Sequence, residues 1–186
     1  MQIANPIYDS VFKFMMNDNK VAKLILSAII EENIKKLEFS PTEINVPLRE
    51  SIAVLRMDFK ATVEYENGTK KVITIEIQKA KYADDIMRFR RYLGEQYMDK
   101  NNSIVVEIIR TKKGDIEKRE ALPILSIYFL GHTLDHTPDV PIIKVDRTYI
   151  DVATKEVLES TGKEKFIESL THDSYVIQIP YIEGHR

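Results

Sequence analysis

The chain has 186 residues, enough for one domain, and its 44% hydrophobic and 30% charged residues are those of a globular protein with material for a core. A net charge of -2 excludes a strongly basic nucleic-acid binder. The lack of cysteine excludes disulfides, thiolate nucleophiles and cysteine-bound zinc, and fits a reducing cytoplasm. No apolar run approaches the ~18 residues that span a bilayer, and no secretory leader is visible, so no membrane partner is expected.

Asn5-Pro6 reads as a helix start, a capping residue followed by proline at the first helical position, and the helix should run to about Met16. Asn17-Asp18-Asn19 breaks it and caps a second, amphipathic helix over residues 20–33. Residues 42–46 are a short strand candidate closed by Pro47. Residues 54–65 and 70–79 form a hairpin. Residues 82–100 are helical, with Ile86, Phe89, Tyr92, Leu93 and Tyr97 at helical spacing. Residues 104–110 are apolar and β-branched, and read better as a strand than as an extension of that helix. PILSIYFL, 123–130, is a buried strand ending at Gly131. After a loop with Pro138 and Pro141 come a strand over 142–150, a short helix over 163–170 and a final strand over 174–179. This mixture predicts an α/β fold, a central sheet with helices around it. The chain ends in IPYIEGHR, with nothing to cap or close the last strand, so a missing C-terminal segment stays open. Two basic stretches, Lys79 to Arg91 and Lys112 to Arg119, read as solvated surface.

The hairpin carries an acid near the far end of each arm, Asp58 and Glu76. A two-residue Asn67-Gly68 loop would pair Phe59 with Glu76 and mix polar with apolar residues on both faces. A three-residue loop, 66–68, pairs Glu64 with Lys70, Thr62 with Val72, Lys60 with Thr74 and Asp58 with Glu76. One face is then nearly all polar, while Phe59, Ala61, Val63, Tyr65, Ile73, Ile75 and Ile77 form the other. Register follows the buried face, so the second solution is expected. It sets two carboxylates side by side, with Cβ atoms about 5 Å apart. Their repulsion must be offset by a proton, a base or a divalent cation. Carboxylates, waters and a phosphate suit Mg²⁺, and Gln78 and Lys60 share the face. The alternative is a solvated face on which Lys60 or Lys79 neutralises the acids.

An acid on one strand and Glu-x-Lys, or a variant, on the next resembles the PD-(D/E)XK nuclease superfamily, here Met57-Asp58 and Glu76-Ile77-Gln78. More closely, the chain resembles the PD-(D/E)XK family transposases, related to recombination-promoting nucleases. The resemblance is carried by DSVFKFMM at 9–16, DFKATV and ITIEIQ in the hairpin, RYLGEQY at 91–97, LPILSIYFLG at 122–131 and LTHDSYVIQIP at 170–180. It implies a single domain over 1–186 with a restriction-endonuclease-like core, a central mixed sheet flanked by helices. The implied activity is Mg²⁺- or Mn²⁺-dependent DNA endonuclease, with DNA as partner and a homodimer as a candidate assembly.

Asp58, Glu76 and the Ile77 carbonyl would hold the metal, with Asp9 as an additional acid. Gln78 stands where many members carry the catalytic lysine; an amide orients a water but is no general base. Lys60 or Lys79 would supply positive charge, although Lys79 should point to the opposite face. Arg88, Tyr92 and Gln96 recur every four residues on one helix face and would meet DNA, Arg88 gripping the scissile phosphate. Lys13 is a further phosphate contact, or a partner for Asp9 one turn away. Two other constellations offer rival sites, His172-Asp173-Ser174 as a hydrolase triad and His132 with His136 as a metal pair.

Overall fold

The computed structural model describes residues 9–40, 54–64, 70–80, 86–112, 114–137, 139–158 and 164–183. The expected helix start at Asn5-Pro6, the strand over 42–46, the hairpin loop and the first turn of the helix over 82–100 lie outside these.

Helix α1 spans Asp9–Asn17 and α2 spans Asn19–Ile30. Asp18 caps α2 from an extended conformation, its carboxylate accepting from the Lys20 and Val21 amides at 2.9 and 3.3 Å. Ala22, Leu26 and Ile30, four apart, form its buried stripe. The helix stops at Glu31 in the left-handed region, short of the expected Asn33, and strand β1, Asn33–Ser40, follows where no strand was expected. Strands β2, Val54–Glu64, and β3, Lys70–Ala80, form the hairpin. Helix α3 spans Ile86–Met98. Strands β4, Ser103–Thr111, and β5, Gly114–Ala121, make a separate two-stranded arm. Its turn uses Gly114 at φ 125°, a conformation open essentially to glycine alone. The expected strand over 104–110 is there. β5, by contrast, falls in a stretch expected only to be solvated basic surface; its Lys118 and Arg119 are exposed, paired with Glu107 and Glu117.

Strand β6 spans Ile124–Leu130 and is buried as expected. β7, Ile142–Val145, is shorter than the expected 142–150, which continues only as an isolated bridge between Ile150 and Val157. Helix α4 spans Lys165–Leu170, and β8 spans His172–Gln178. A helical turn, α5, Ile179–Glu183, closes β8, where nothing was expected to do so.

The main sheet is mixed, six strands in the order β1-β2-β3-β6-β8-β7. β3, β6 and β8 are parallel, and the outer pairs are antiparallel. Parallel neighbours need a crossover, and α3 and α4 lie in the two connections. One sheet face is apolar: Phe59, Ala61, Val63, Ile73, Ile75, Ile77, Ile127, Phe129 and Ile177 pack on Phe12 and Met16 of α1 and Ala22, Leu26 and Ile30 of α2. The rings of Phe12 and Phe129 meet edge-on at 4.9 Å. On the other face α3 packs through Phe89, whose ring lies 5.1 Å from Tyr128. The protein is thus an α/β fold whose sheet carries helices on both sides. No helix among the described residues is long and apolar enough to cross a membrane.

Candidate functional site

The hairpin adopts the register that buries one face. Glu64 opposes Lys70, Thr62 opposes Val72, Lys60 opposes Thr74 and Asp58 opposes Glu76. The apolar partners on the reverse face, Phe59, Ala61, Val63, Ile73, Ile75 and Ile77, are all at most 8% exposed, which is why a one-residue slip is not tolerated. Of the expected site residues, Asp58, Glu76 and Gln78 are positioned by backbone and register; their side chains, with those of Asp9 and Lys13 in α1, lie outside those described. Asp9 opens a helix that packs on the apolar face, not on the face carrying Asp58 and Glu76.

Register extends the acid pair into a row across the sheet. Ser40 of β1 opposes Asp58, Glu76 opposes Ser126 of β6, and Ser126 opposes Ser174 of β8. Neighbours along such a row are about 4.8 Å apart. The row holds two acids, three hydroxyls and no base. Bases stand in the rows on either side. Lys60 lies between Glu38 and Thr74, and Arg56 opposes Gln78. The Glu38 carboxyl is held below its usual value chiefly by its hydrogen bond to Lys36 and by that lysine's charge, with Lys60 adding a smaller pull. Arg56 is not among the expected site residues, although continuing the hairpin ladder beyond Asp58 leads to it directly.

Ser126 is the residue in this row whose side chain says most. It is fully buried, and its Oγ has no hydrogen-bond partner among the described residues. An orphaned buried hydroxyl costs about 1–3 kcal/mol, in a strand otherwise made of Ile, Leu, Tyr and Phe. A hard-oxygen set of two carboxylates with an unused hydroxyl beside them fits Mg²⁺ or Mn²⁺, which take carboxylates and waters. Among residues with described side chains, no group of three or more His, Asp or Glu converges on a metal-sized site.

Helix α3 roofs this face. Phe89 anchors it over Tyr128, in the row of Gln78. Seven residues on, Gln96 is 3% exposed and its side chain meets Asn102, whose Nδ2 also donates to the Gln96 carbonyl at 3.0 Å. Thr74 Oγ1 donates to Asn102 Oδ1 at 3.2 Å. The helix is thereby pinned to β3 and β6 on either side of the Glu76–Ser126 row, and its middle turn, with Tyr92 and Leu93, falls between the two anchors. Arg88 and Tyr92 are half-buried and engaged in interactions of their own. Gln96 serves as an anchor of the roof, a role that its spacing with Arg88 and Tyr92 does not announce.

The two other constellations do not assemble. Successive residues of β8 alternate between faces, so Asp173 is turned away from His172 and Ser174. Asp173 accepts from Arg147 Nε at 2.6 Å, while His172 Nδ1 is 3.0 Å from the Tyr97 hydroxyl. His132 and His136 lie in a loop without helical structure. Arg147 also donates to Glu168 at 3.0 Å, as does Tyr149, and Lys71 stands 3.6 Å from the same carboxylate. Arg147, Asp173, Glu168 and Lys71, with Lys144 and Tyr175, line a cleft of about 210 Å³ at the starts of the parallel strands. Asp173 and Glu168 hold the Arg147 guanidinium well above its ordinary pKa, the hydrogen bond to Asp173 contributing most, so the cluster is a locked ion network.

Comparison with protein-family models, with curated proteins and with solved structures gives no match. The reading of the site therefore rests on its own residues. It offers two acids in register, flanking bases, a buried unsatisfied hydroxyl and a helix laid across them.

Proposed function

We propose that the protein is a metal-dependent DNA endonuclease of the PD-(D/E)XK transposase-like kind, built on a restriction-endonuclease-like core. The observation that carries this reading is the cross-strand pairing of Asp58 with Glu76 on the polar face. The run of hairpin β2–β3, helix α3 and parallel strand β6 supports it, as do the resembling motifs along the chain. Asp58, Glu76 and the Ile77 carbonyl would hold Mg²⁺ or Mn²⁺, which when bound would supply an activated water and charge neutralisation. Gln78 would accept from and orient a water, while Lys60 and Arg56, one row to either side, would balance the phosphate. Arg88 contributes a bidentate grip from the roof helix.

Replacing Glu76 with Gln should abolish Mg²⁺-dependent cleavage of DNA, by a factor of about 100 or more, without unfolding the protein. Cleavage that survives in the purified variant places the chemistry elsewhere.

A second reading is favoured by one residue. With Gln78 in place of lysine, the fold serves as a DNA- or protein-binding module that has kept its acids. Salt-dependent DNA binding, with no turnover in Mg²⁺ or Mn²⁺, would support that reading against the first.

A further inference from the structure

We propose that Ser126 is a positioning residue of the metal site, its hydroxyl donating to the Glu76 carboxylate once the hairpin acids take up a divalent cation. This rests on the metal-dependent reading above.

Three observations lead to it. Ser126 is the parallel-register partner of Glu76, so the two share a sheet face in adjacent strands. It is completely buried, under the span that α3 bridges between Tyr128 and Thr74. Its hydroxyl has no hydrogen-bond partner among the described residues. A serine hydroxyl carries one donor and two acceptor positions, and a neighbour such as Ser174 offers it little that alanine would not make unnecessary. An ionised carboxylate is the partner that makes a lone donor useful. A carboxylate that ligates a metal through one oxygen is fixed by a hydrogen bond to the other, and such outer contacts tune affinity. The neighbouring strand residues give the hydroxyl its rigidity. Ile127 is fully buried on the reverse face, and Tyr128 is held by Phe89.

The test is calorimetric titration of Mn²⁺ into wild type, Ser126→Ala, Ser126→Cys and Glu76→Gln, with thermal melting of each in EDTA. Ser126→Ala should weaken Mn²⁺ binding by about 10- to 100-fold. Ser126→Cys, close in size but a weaker donor, should fall between the two. Metal-free Ser126→Ala should melt no lower than wild type, because it loses only an unsatisfied group; a purely structural serine predicts a lower melting temperature. Mn²⁺ affinity unchanged in Ser126→Ala but lost in Glu76→Gln overturns the role of Ser126 and leaves the metal site standing. Wild type that takes up no Mn²⁺, or Glu76→Gln that binds it as wild type does, overturns both.

Discussion

The side-chain carbonyl of Gln178, at the end of β8, accepts a hydrogen bond from the Leu134 amide at 2.5 Å. Its Nε2 donates to the Val140 carbonyl at 2.7 Å and to Thr137 at 3.2 Å. One fully buried amide thus holds the loop that leaves β6. Gln178→Met keeps the shape and removes every one of these bonds. It should cost about 2 kcal/mol or more in urea unfolding, and amide exchange at Leu134 should accelerate while the β2–β3 ladder keeps its protection.

Arg147 is the hub of the ion network, and the Glu168 side chain it pairs with is 6% exposed. Arg147→Met leaves that buried carboxylate with the Tyr149 hydroxyl, at 3.0 Å, and with Lys71, at 3.6 Å, as its remaining cation among the described residues. The expected loss is about 3 kcal/mol, at the lower end for a broken buried pair because Lys71 remains. The double variant Arg147→Met with Glu168→Gln should recover part of it, which a double-mutant cycle by chemical denaturation measures.

His172 is held below the ordinary histidine pKa, first by burial and then by the Arg147 charge, with Asp173 opposing. The unfolded chain therefore binds this proton more readily than the folded one. Its contribution to stability is complete above the unfolded value of about 6.5 and declines as pH falls through that value towards the folded one. Melting temperature should drop between about pH 7 and 5, and His172→Gln should flatten that part of the curve.

Asp58 and Glu76 are paired in register, and on the proposed reading the two carboxylates would repel one another without a cation between them. Asp58→Asn should therefore abolish calorimetric Mg²⁺ and Mn²⁺ binding, yet raise the stability of the metal-free protein by about 0.2–1 kcal/mol. A loss of metal-free stability would mean that a base already neutralises the pair.

The hairpin register was legible because a period of two ran the full length of both arms, and only one pairing put Phe59, Ile73, Ile75 and Ile77 on one face. Strand β1 was hidden by its own irregularity. Ile34 and Leu37 are both buried, three residues apart, because a bulge between Ile34 and Lys36 shifts the strand by one. Following Ile30, that spacing imitates another helical turn. β5 carried no period at all, since seven of its eight residues are exposed. β7 ends early because Arg147 turns away to Asp173 and Glu168, partners 26 and 21 residues distant. Ser126 was invisible for the same reason, since its meaning lies in Glu76, fifty residues before it.

That separation has a consequence for folding order. Asp58 and Glu76 meet through a turn within one hairpin, a local event on a microsecond scale. Glu76 and Ser126 meet only after the chain has run through α3 and the β4–β5 arm, and Ser126 and Ser174 after a loop of similar length. Closing the longer loop costs about 1 kcal/mol more in chain entropy. Conservative substitutions at Thr62 and Val72 should therefore slow refolding, while those at Val176 should mainly speed unfolding. In that order the acids would face each other while the chain is still condensing, and the hydroxyl beside them would arrive with the last strands to dock.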